Sequence, residues 1–186
     1  ERLKKGLYDY REEHDACGIG FYANMNNIRT HDVIGKSLEM LCRLDHRGGV
    51  GADGMTGDGA GIMTEIPFEF FEHFSDLELP DEGEYAVGMF FSKERVIGSN
   101  HEAVLNQYFE NEGLKIIGYR DVPVNKEAVA QHVADTMPYI QQVFVDIKHV
   151  SHIEKQLYLA RKQIEFYAEN EDLELYFTSL SHKTIV

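Results

Sequence analysis

Apolar positions along this chain fall into two rhythms, and the rhythms mark out its elements. Short apolar runs of strand length appear at "EYAVGMFF" (84–91), "KIIGYRDVP" (115–123) and "YIQQVFVDIK" (139–148). Each predicts a strand with at least one buried face. Between and after them the spacing changes to that of helices. Ile153, Leu157, Ala160, Ile164 and Tyr167 fall on one stripe of a long helix, with Ser151 and Glu154 placed as a capping box. Ser99 and Glu102 repeat that signature for a helix running to about Glu112. A further helix is predicted from about Lys126 to Thr136. The segment "ELYFTSLSHKTIV" (174–186) predicts a final strand or strand pair.

The first third is less regular. "GIGFYANM" (18–25) predicts a buried strand, closed by a turn at Asn26 and Asn27. Residues 31–45 predict a helix with Ile34, Leu38, Leu41 and Cys42 on one face, which would put Cys42 in the core. "IMTEIP" (62–67) predicts a strand stopped by Pro67, and residues 68–75 a short helix. Alternating strands and helices predict a mixed α/β (α+β) domain whose sheets are covered by helices. No repeat, low-complexity tract or Pro/Ser linker interrupts it.

Composition narrows the function classes. The 186 residues suffice for one domain, and ten Tyr and eleven Phe supply material for a core. A formal charge of −14 argues against nucleic acid and against an anionic membrane as partner. No apolar run approaches a membrane span, and no signal-peptide h-region opens the chain. Two cysteines make no disulfide framework, so a reducing, cytoplasmic compartment is expected. The chain begins at Glu1 rather than Met, and it ends in the strand-like "TIV". Both features suggest part of something longer with a trimmed or processed start.

Chemistry concentrates near the amino end. Residues 1–16 carry nine charged side chains of both signs and read as a solvated, removable leader before Cys17. Cys17 lies between Ala16 and Gly18, small neighbours that leave room for an incoming carbonyl. Two readings stand: an inert thiol at a strand start, or a nucleophile exposed by cleavage of the Ala16–Cys17 bond. Cleavage would give Cys17 a free α-amine, with a reference pKa of about 7.7–8.0 against about 8.5 for the thiol. That amine can accept the thiol proton, which an uncut peptide nitrogen cannot do. Downstream, "DHRGGVGADGMTGDGAG" (45–61) holds seven glycines in seventeen positions. Arg47, held beside Gly48 and Gly49, is either a carboxylate clamp or a surface partner of Asp45. Asp58 either lines a site or serves a turn. The glycines lead into a strand, so neither the Walker nor the Rossmann phosphate pattern applies. His149 and His152 have no third ligand at a sensible spacing and read as capping or surface residues.

Taken together, "EHDACGIGF", "LDHRGGVGADGMTGDGAGIMTEIP" and "SLSHKTIV" resemble the amino-terminal glutaminase domain of the glutamate synthase large subunit, a class II glutamine amidotransferase. The resemblance spans nearly the whole chain. It implies an N-terminal-nucleophile hydrolase-like four-layer α/β/β/α sandwich, incomplete here, with 1–16 as propeptide and 17–186 as the amino-terminal part of the domain. It implies Cys17 as nucleophile and Arg47 in the glutamine pocket, with Gly18, His46, Gly48 and Asp58 as candidate site-lining residues and no metal. It implies ammonia release from glutamine, delivered within the complete enzyme to 2-oxoglutarate for reduction to glutamate. No cofactor is expected on these residues, but FMN and an iron–sulfur cluster are implied for the complete subunit. The remainder of the synthase chain and an electron-donating small subunit or ferredoxin are implied as partners.

Two departures qualify that implication. The family's oxyanion-hole Asn-Gly pair occurs nowhere in residues 1–186. Removing a single oxyanion donor costs about 10²–10³ in turnover, so the isolated chain is expected to be nearly inactive. Lys183 stands where the family usually has arginine in "SLSxRTIV". Two other readings remain: an amidotransferase with a different ammonia acceptor, and a non-catalytic scaffold with a redox-sensitive Cys17.

Overall fold

The computed structural model describes residues 18–45, 48–49, 53–54, 56–57 and 59–186. They fall into two units, Glu1–Gly61 and Ile62–Val186.

The second unit is built on two strands with apolar side chains on both faces. β2 (Tyr85–Ser92) and β4 (Tyr139–Asp146) pair antiparallel along their full length, from Tyr85 opposite Asp146 to Ser92 opposite Tyr139. β3 (Lys115–Asp121) joins the outer edge of β4, and β5 (Tyr176–Ser181) the outer edge of β2, both antiparallel. The sheet order is therefore β3-β4-β2-β5. Because alternate residues point to opposite faces, each central strand feeds two cores.

On one face Ala86, Phe90, Val143, Val145 and Phe177 meet α3 (Asn100–Asn111) and α5 (Ile153–Asn170). α5 buries Leu157, Ala160, Ile164 and Ala168, so the predicted stripe is borne out, with Ile153 and Tyr167 only partly covered. On the other face Tyr85, Val87 and Phe144 meet Ile66, Phe71 and Ile185. Phe71 comes from α2 (Phe68–Phe74) and stacks edge-on against Phe144 at 5.1 Å. Ile185 comes from β6 (Thr184–Ile185), which pairs with β1 (Thr64–Glu65) as a two-stranded ribbon. Burial lifts the Tyr85 phenol to about 12, so that ring behaves as a neutral core aromatic. A helix layer, a four-stranded sheet and a short ribbon make a mixed α/β architecture with antiparallel sheets. That is the arrangement expected of an incomplete sandwich.

Two local features tune the central sheet. A Cβ on Gly88 would lie 2.7 Å from Val143 Cγ1 and 2.9 Å from Leu180 Cδ1, so only glycine lets those neighbours close over β2. Between Met89 and Phe90 the pairing to β5 slips by one residue. Thr178 is the extra residue, and its hydroxyl donates to the Met89 carbonyl at 3.1 Å.

Several expectations need correction. Residues 18–25 form no strand: a strand exists only where a ladder partner exists, and none pairs with them among the described residues. Ile19, Phe21 and Met25 are more than nine-tenths exposed. The turn that follows is present, with the Asn27 amide bonded to Asn24 O and the Asn26 amide to Asn24 Oδ1. β1 covers only Thr64–Glu65 of the six residues expected. The helix expected over 126–136 divides into a 3₁₀ turn at Lys126–Ala128 and α4 (Gln131–Thr136). Neither piece buries a residue, and so short a helix without packing has little to hold it together.

Caps also differ. α3 keeps Ser99 as N-cap, but Glu102 reaches the Gly98 amide at 2.7 Å, one residue earlier than a capping box requires. α5 starts at Ile153 with His152, not Ser151, at the cap position, and Glu154 is engaged elsewhere. β5 and β6 confirm the terminal strand pair.

In the first unit, α1 (His31–Arg43) forms as the periodicity predicts, yet none of its residues is buried. Leu38 is half-exposed and Cys42 exposed, so Cys42 is not the core residue expected of it. The more sheltered positions are Val33, Ile34, Ser37, Met40 and Leu41, a stripe turned away from Cys42.

Candidate active site

Four of the six sequence-predicted site residues, Cys17, His46, Arg47 and Asp58, lie outside the described residues. Gly18 and Gly48 are described, and both are exposed. The structure therefore gives the frame around these positions.

α1 ends when the Leu44 amide bonds back to Met40 O and Leu41 O. The chain then turns at once, with the Gly48 amide donating to Asp45 O at 3.0 Å. Further on, Asp53 Oδ1 accepts from the Thr56 amide at 2.9 Å and from the Thr56 hydroxyl. This side-chain-to-backbone closure is the reason aspartate and threonine suit such a loop. Gly57 then passes close to its own segment: a Cβ there would lie 3.1 Å from Gly49 O. Gly57 and Gly49 thus lie at a near approach of two backbones, where any larger residue at 57 would crowd the carbonyl.

The second unit contributes what the sequence reading missed. In "SLSHKTIV" the side chains of Ser179, Ser181 and His182 are committed to fastening. Ser179 Oγ accepts from the Val186 amide at 3.2 Å. Ser181 Oγ accepts from the Lys183 amide at 3.0 Å and donates to Glu154 Oε1 at 2.9 Å. Glu154 Oε1 also accepts from the His182 amide at 3.1 Å and from His182 Nδ1. Burial alone would raise the Glu154 carboxyl. The bonds from the His182 amide, the Ser181 hydroxyl and the His182 ring outweigh it and hold the group below its ordinary value. The Lys183 side chain is exposed, and only its backbone takes part. Lysine for arginine there leaves these bonds intact. The signal for Glu154 was present in the sequence, but its place in the first turn of a helix made a capping role the nearer reading.

The same unit has an open groove of about 410 Å³ beside the ribbon, lined by Phe70, Met89, Arg120, Gln142 and Ile185 among others. Arg120 lies over the Phe70 ring at 5.8 Å and donates to Gln142 Oε1 at 2.9 Å. His152 sits at the start of α5 and His149 is exposed. Among the described residues no three His, Cys, Asp or Glu side chains converge as metal ligands, and no helix is long and apolar enough to cross a membrane.

An antiparallel sheet with helices on one face and a short ribbon on the other suits an amidotransferase of the N-terminal-nucleophile kind. Residues 17–186 match the family model "Glutamine amidotransferases class-II", and the match opens on Cys17; the chain belongs to that family. Over 98% of its length it is 43% identical to "Glutamate synthase [NADPH] large chain" of Bacillus subtilis (strain 168). Over 97% it is 42% identical to "Ferredoxin-dependent glutamate synthase 1, chloroplastic/mitochondrial" of Arabidopsis thaliana. It is 36% identical over 98% to "Glutamate synthase [NADH]" of Saccharomyces cerevisiae. The chain spans only 12%, 12% and 9% of those three relatives.

Proposed function

We propose that this chain is the amino-terminal part of the glutaminase of a glutamate synthase. What supports the reading is a family match that begins on Cys17 and runs through Val186. In this reading residues 1–16 are cut away and Cys17 becomes the first residue. Its α-amine takes the thiol proton, and the thiolate attacks the glutamine side-chain amide carbon. The C–N bond breaks, the amide nitrogen leaves as ammonia with the proton returned by the amine, and a γ-glutamyl thioester remains. Water then cleaves the C–S bond, giving glutamate and restoring the thiol. Arg47 holds the substrate carboxylate as a fork. His46, Gly18, Gly48 and Asp58 line the site, glycines giving the backbone room to approach.

The ammonia serves a second reaction, reductive amination of 2-oxoglutarate, in the remainder of the polypeptide. When bound in that remainder, FMN would supply hydride chemistry and an iron–sulfur cluster single-electron transfer. The described residues do not fit such a cluster, since no set of three metal-ligating side chains converges among them. The glutaminase half-reaction is redox-neutral and proceeds on this chain's own thiol, amine and arginine. An electron-donating small subunit or ferredoxin completes the system, in the cytoplasm. The isolated 186-residue chain releases little ammonia, because its sequence offers no Asn-Gly oxyanion element.

The test is intact mass followed by labelling of the complete polypeptide with a glutamine-like electrophile. The expected result is a chain that starts at Cys17, one label on Cys17, and protection by glutamine. Equal labelling of Cys17 and Cys42 without glutamine protection would overturn the reading.

A further inference from the structure

The groove beside the ribbon is built wholly from residues of Ile62–Val186, and the nucleophile chemistry makes no use of it. One row of its residues crosses three strands. Met89 on β2 pairs with Gln142 on β4, and Gln142 with Arg120 on β3. Phe144 lies two residues along β4 from Gln142, so the row shares its face, the one turned to the ribbon. Phe71 and Ile185 add apolar wall.

Two polar groups in that row have donors to spare. Gln142 is only 4% exposed, and its carboxamide makes one bond, the oxygen accepting from Arg120 Nη1 at 2.9 Å. Because arginine can only donate, the oxygen must face it and Nε2 must point elsewhere. That Nε2 has no partner among the described residues. No side-chain nitrogen or oxygen among them is both fully enclosed and unbonded, so Nε2 opens on the groove that Gln142 lines. Arg120 bonds only to that neutral oxygen, its guanidinium resting 5.8 Å from the centre of the Phe70 ring. No carboxylate bonds to it among the described residues, although the chain has 32 Asp and Glu against 18 Lys and Arg. Asp121, next in sequence, is taken by Arg95 and Gln141.

We propose that this groove binds a monocarboxylate with a short apolar body, held by Arg120 and Gln142 Nε2. The guanidinium fork matches the two oxygens of a carboxylate, and the buried amide donor gains the partner it lacks. A single arginine in a chain of charge −14 suits one negative charge better than a phosphate dianion. The volume of about 410 Å³ is that of a small-molecule site, and Met89, Phe71 and Ile185 offer the body an apolar bed. Neither Cys17 nor Arg47 takes part, so the site stands apart from the glutaminase reading.

Titration of the 186-residue chain with hexanoate tests this, read by calorimetry and by backbone amide shifts. Saturable binding with Kd of about 1 mM or tighter is expected. Shifts should appear at Met89, Arg120 and Gln142 and not at Leu157 and Ile164, which lie in α5 on the far side of the sheet. 1-Hexanol, which has the body without the charge, should bind at least about tenfold more weakly. Arg120→Met keeps an apolar stem and should weaken hexanoate by at least about tenfold. Gln142→Glu places a resident carboxylate opposite Arg120 and should abolish binding with the unfolding midpoint near that of the wild type; it decides alone if Arg120→Met fails to fold. Equal binding of hexanol and hexanoate, undiminished binding in Gln142→Glu, or shifts confined to α5 would each overturn the proposal. Calorimetry on the complete polypeptide should show the same binding. Its loss there would mean that another stretch of the polypeptide fills the groove, which also overturns the proposal.

Discussion

Residues 62–186 and residues 18–61 are made of the same kinds of amino acid but use them differently. In the later region Val87, Phe90, Phe144, Leu157 and Ile164 have no exposed surface at all. In the earlier one a thirteen-residue amphipathic helix buries none of its side chains, and Ile19, Phe21 and Met25 stand in solvent. The later region holds a core. The earlier is a frame of turns and Asx closures, and in the reading proposed above the chemistry falls on this side of the chain, at Cys17 just before it and Arg47 within it. On that reading stability and reactivity are allotted to different stretches of chain.

The largest effect that could break this division is at Cys17. In the complete polypeptide Cys17→Ala should abolish ammonia release from glutamine, a loss beyond about 10³-fold, with the melting temperature unmoved. A large fall in melting temperature would mean that Cys17 also supports the fold. Next comes the core itself. Phe144→Ala, which removes a ring packed against Phe71 and Tyr85, should cost about 3–5 kcal/mol by denaturant unfolding. Leu38→Ala on α1 should stay within about 0.5 kcal/mol. Equal costs for the two would erase the contrast.

Overpacking is a smaller effect. Gly88→Ala should cost about 1–3 kcal/mol, because Val143 and Leu180 must give way, and its partner readout is a drop in denaturation midpoint with the slope unchanged. The smallest concerns pH. The Arg95 guanidinium bonded to Asp121, helped by Gln141, holds that carboxyl below its ordinary value although partial burial opposes it. A lowered folded value means that the pair stabilises above the unfolded carboxyl value near 3.8 and that this contribution is lost as pH falls through the folded value. The pair is largely solvated, so Asp121→Asn should flatten the acid limb of the stability curve by less than about 1 kcal/mol. Unfolding curves between pH 2 and pH 6 would show it, and an unchanged acid limb would contradict it.

How much of this was legible depends on whether a residue's partner lies nearby in sequence. The α5 stripe, the α3 cap and strands β2 to β5 follow from local periodicity, and the structure reproduces them. "GIGFYANM" has the periodicity of a strand, but pairing is a property of the partner, and no pattern within eight residues can supply one. Glu154 fails for the same reason in reverse: Ser151 is three residues away, yet the donors that win are Ser181 and His182, twenty-seven and twenty-eight residues on. For the proposed site the sequence offers residue types only, a cysteine between small residues and an arginine followed by glycines. Whether they meet is a tertiary quantity that local pattern does not carry.

The extra residue at Thr178 sets a constraint of a different kind. Phe177 lies opposite Phe90, Leu180 opposite Gly88 and Ser179 opposite Met89. Two core residues three apart thus share a face only because one position between them is skipped. The strand's parity, odd or even, is therefore information in itself. Exchange of Thr178 for another residue keeps the skipped position. Removal of Thr178 leaves Phe177 and Leu180 two apart, which in a regular strand is the same face, so the pairings opposite Phe90, Met89 and Gly88 survive and only the local bend goes. This stretch should therefore tolerate loss of its odd residue better than a one-residue deletion elsewhere in β5.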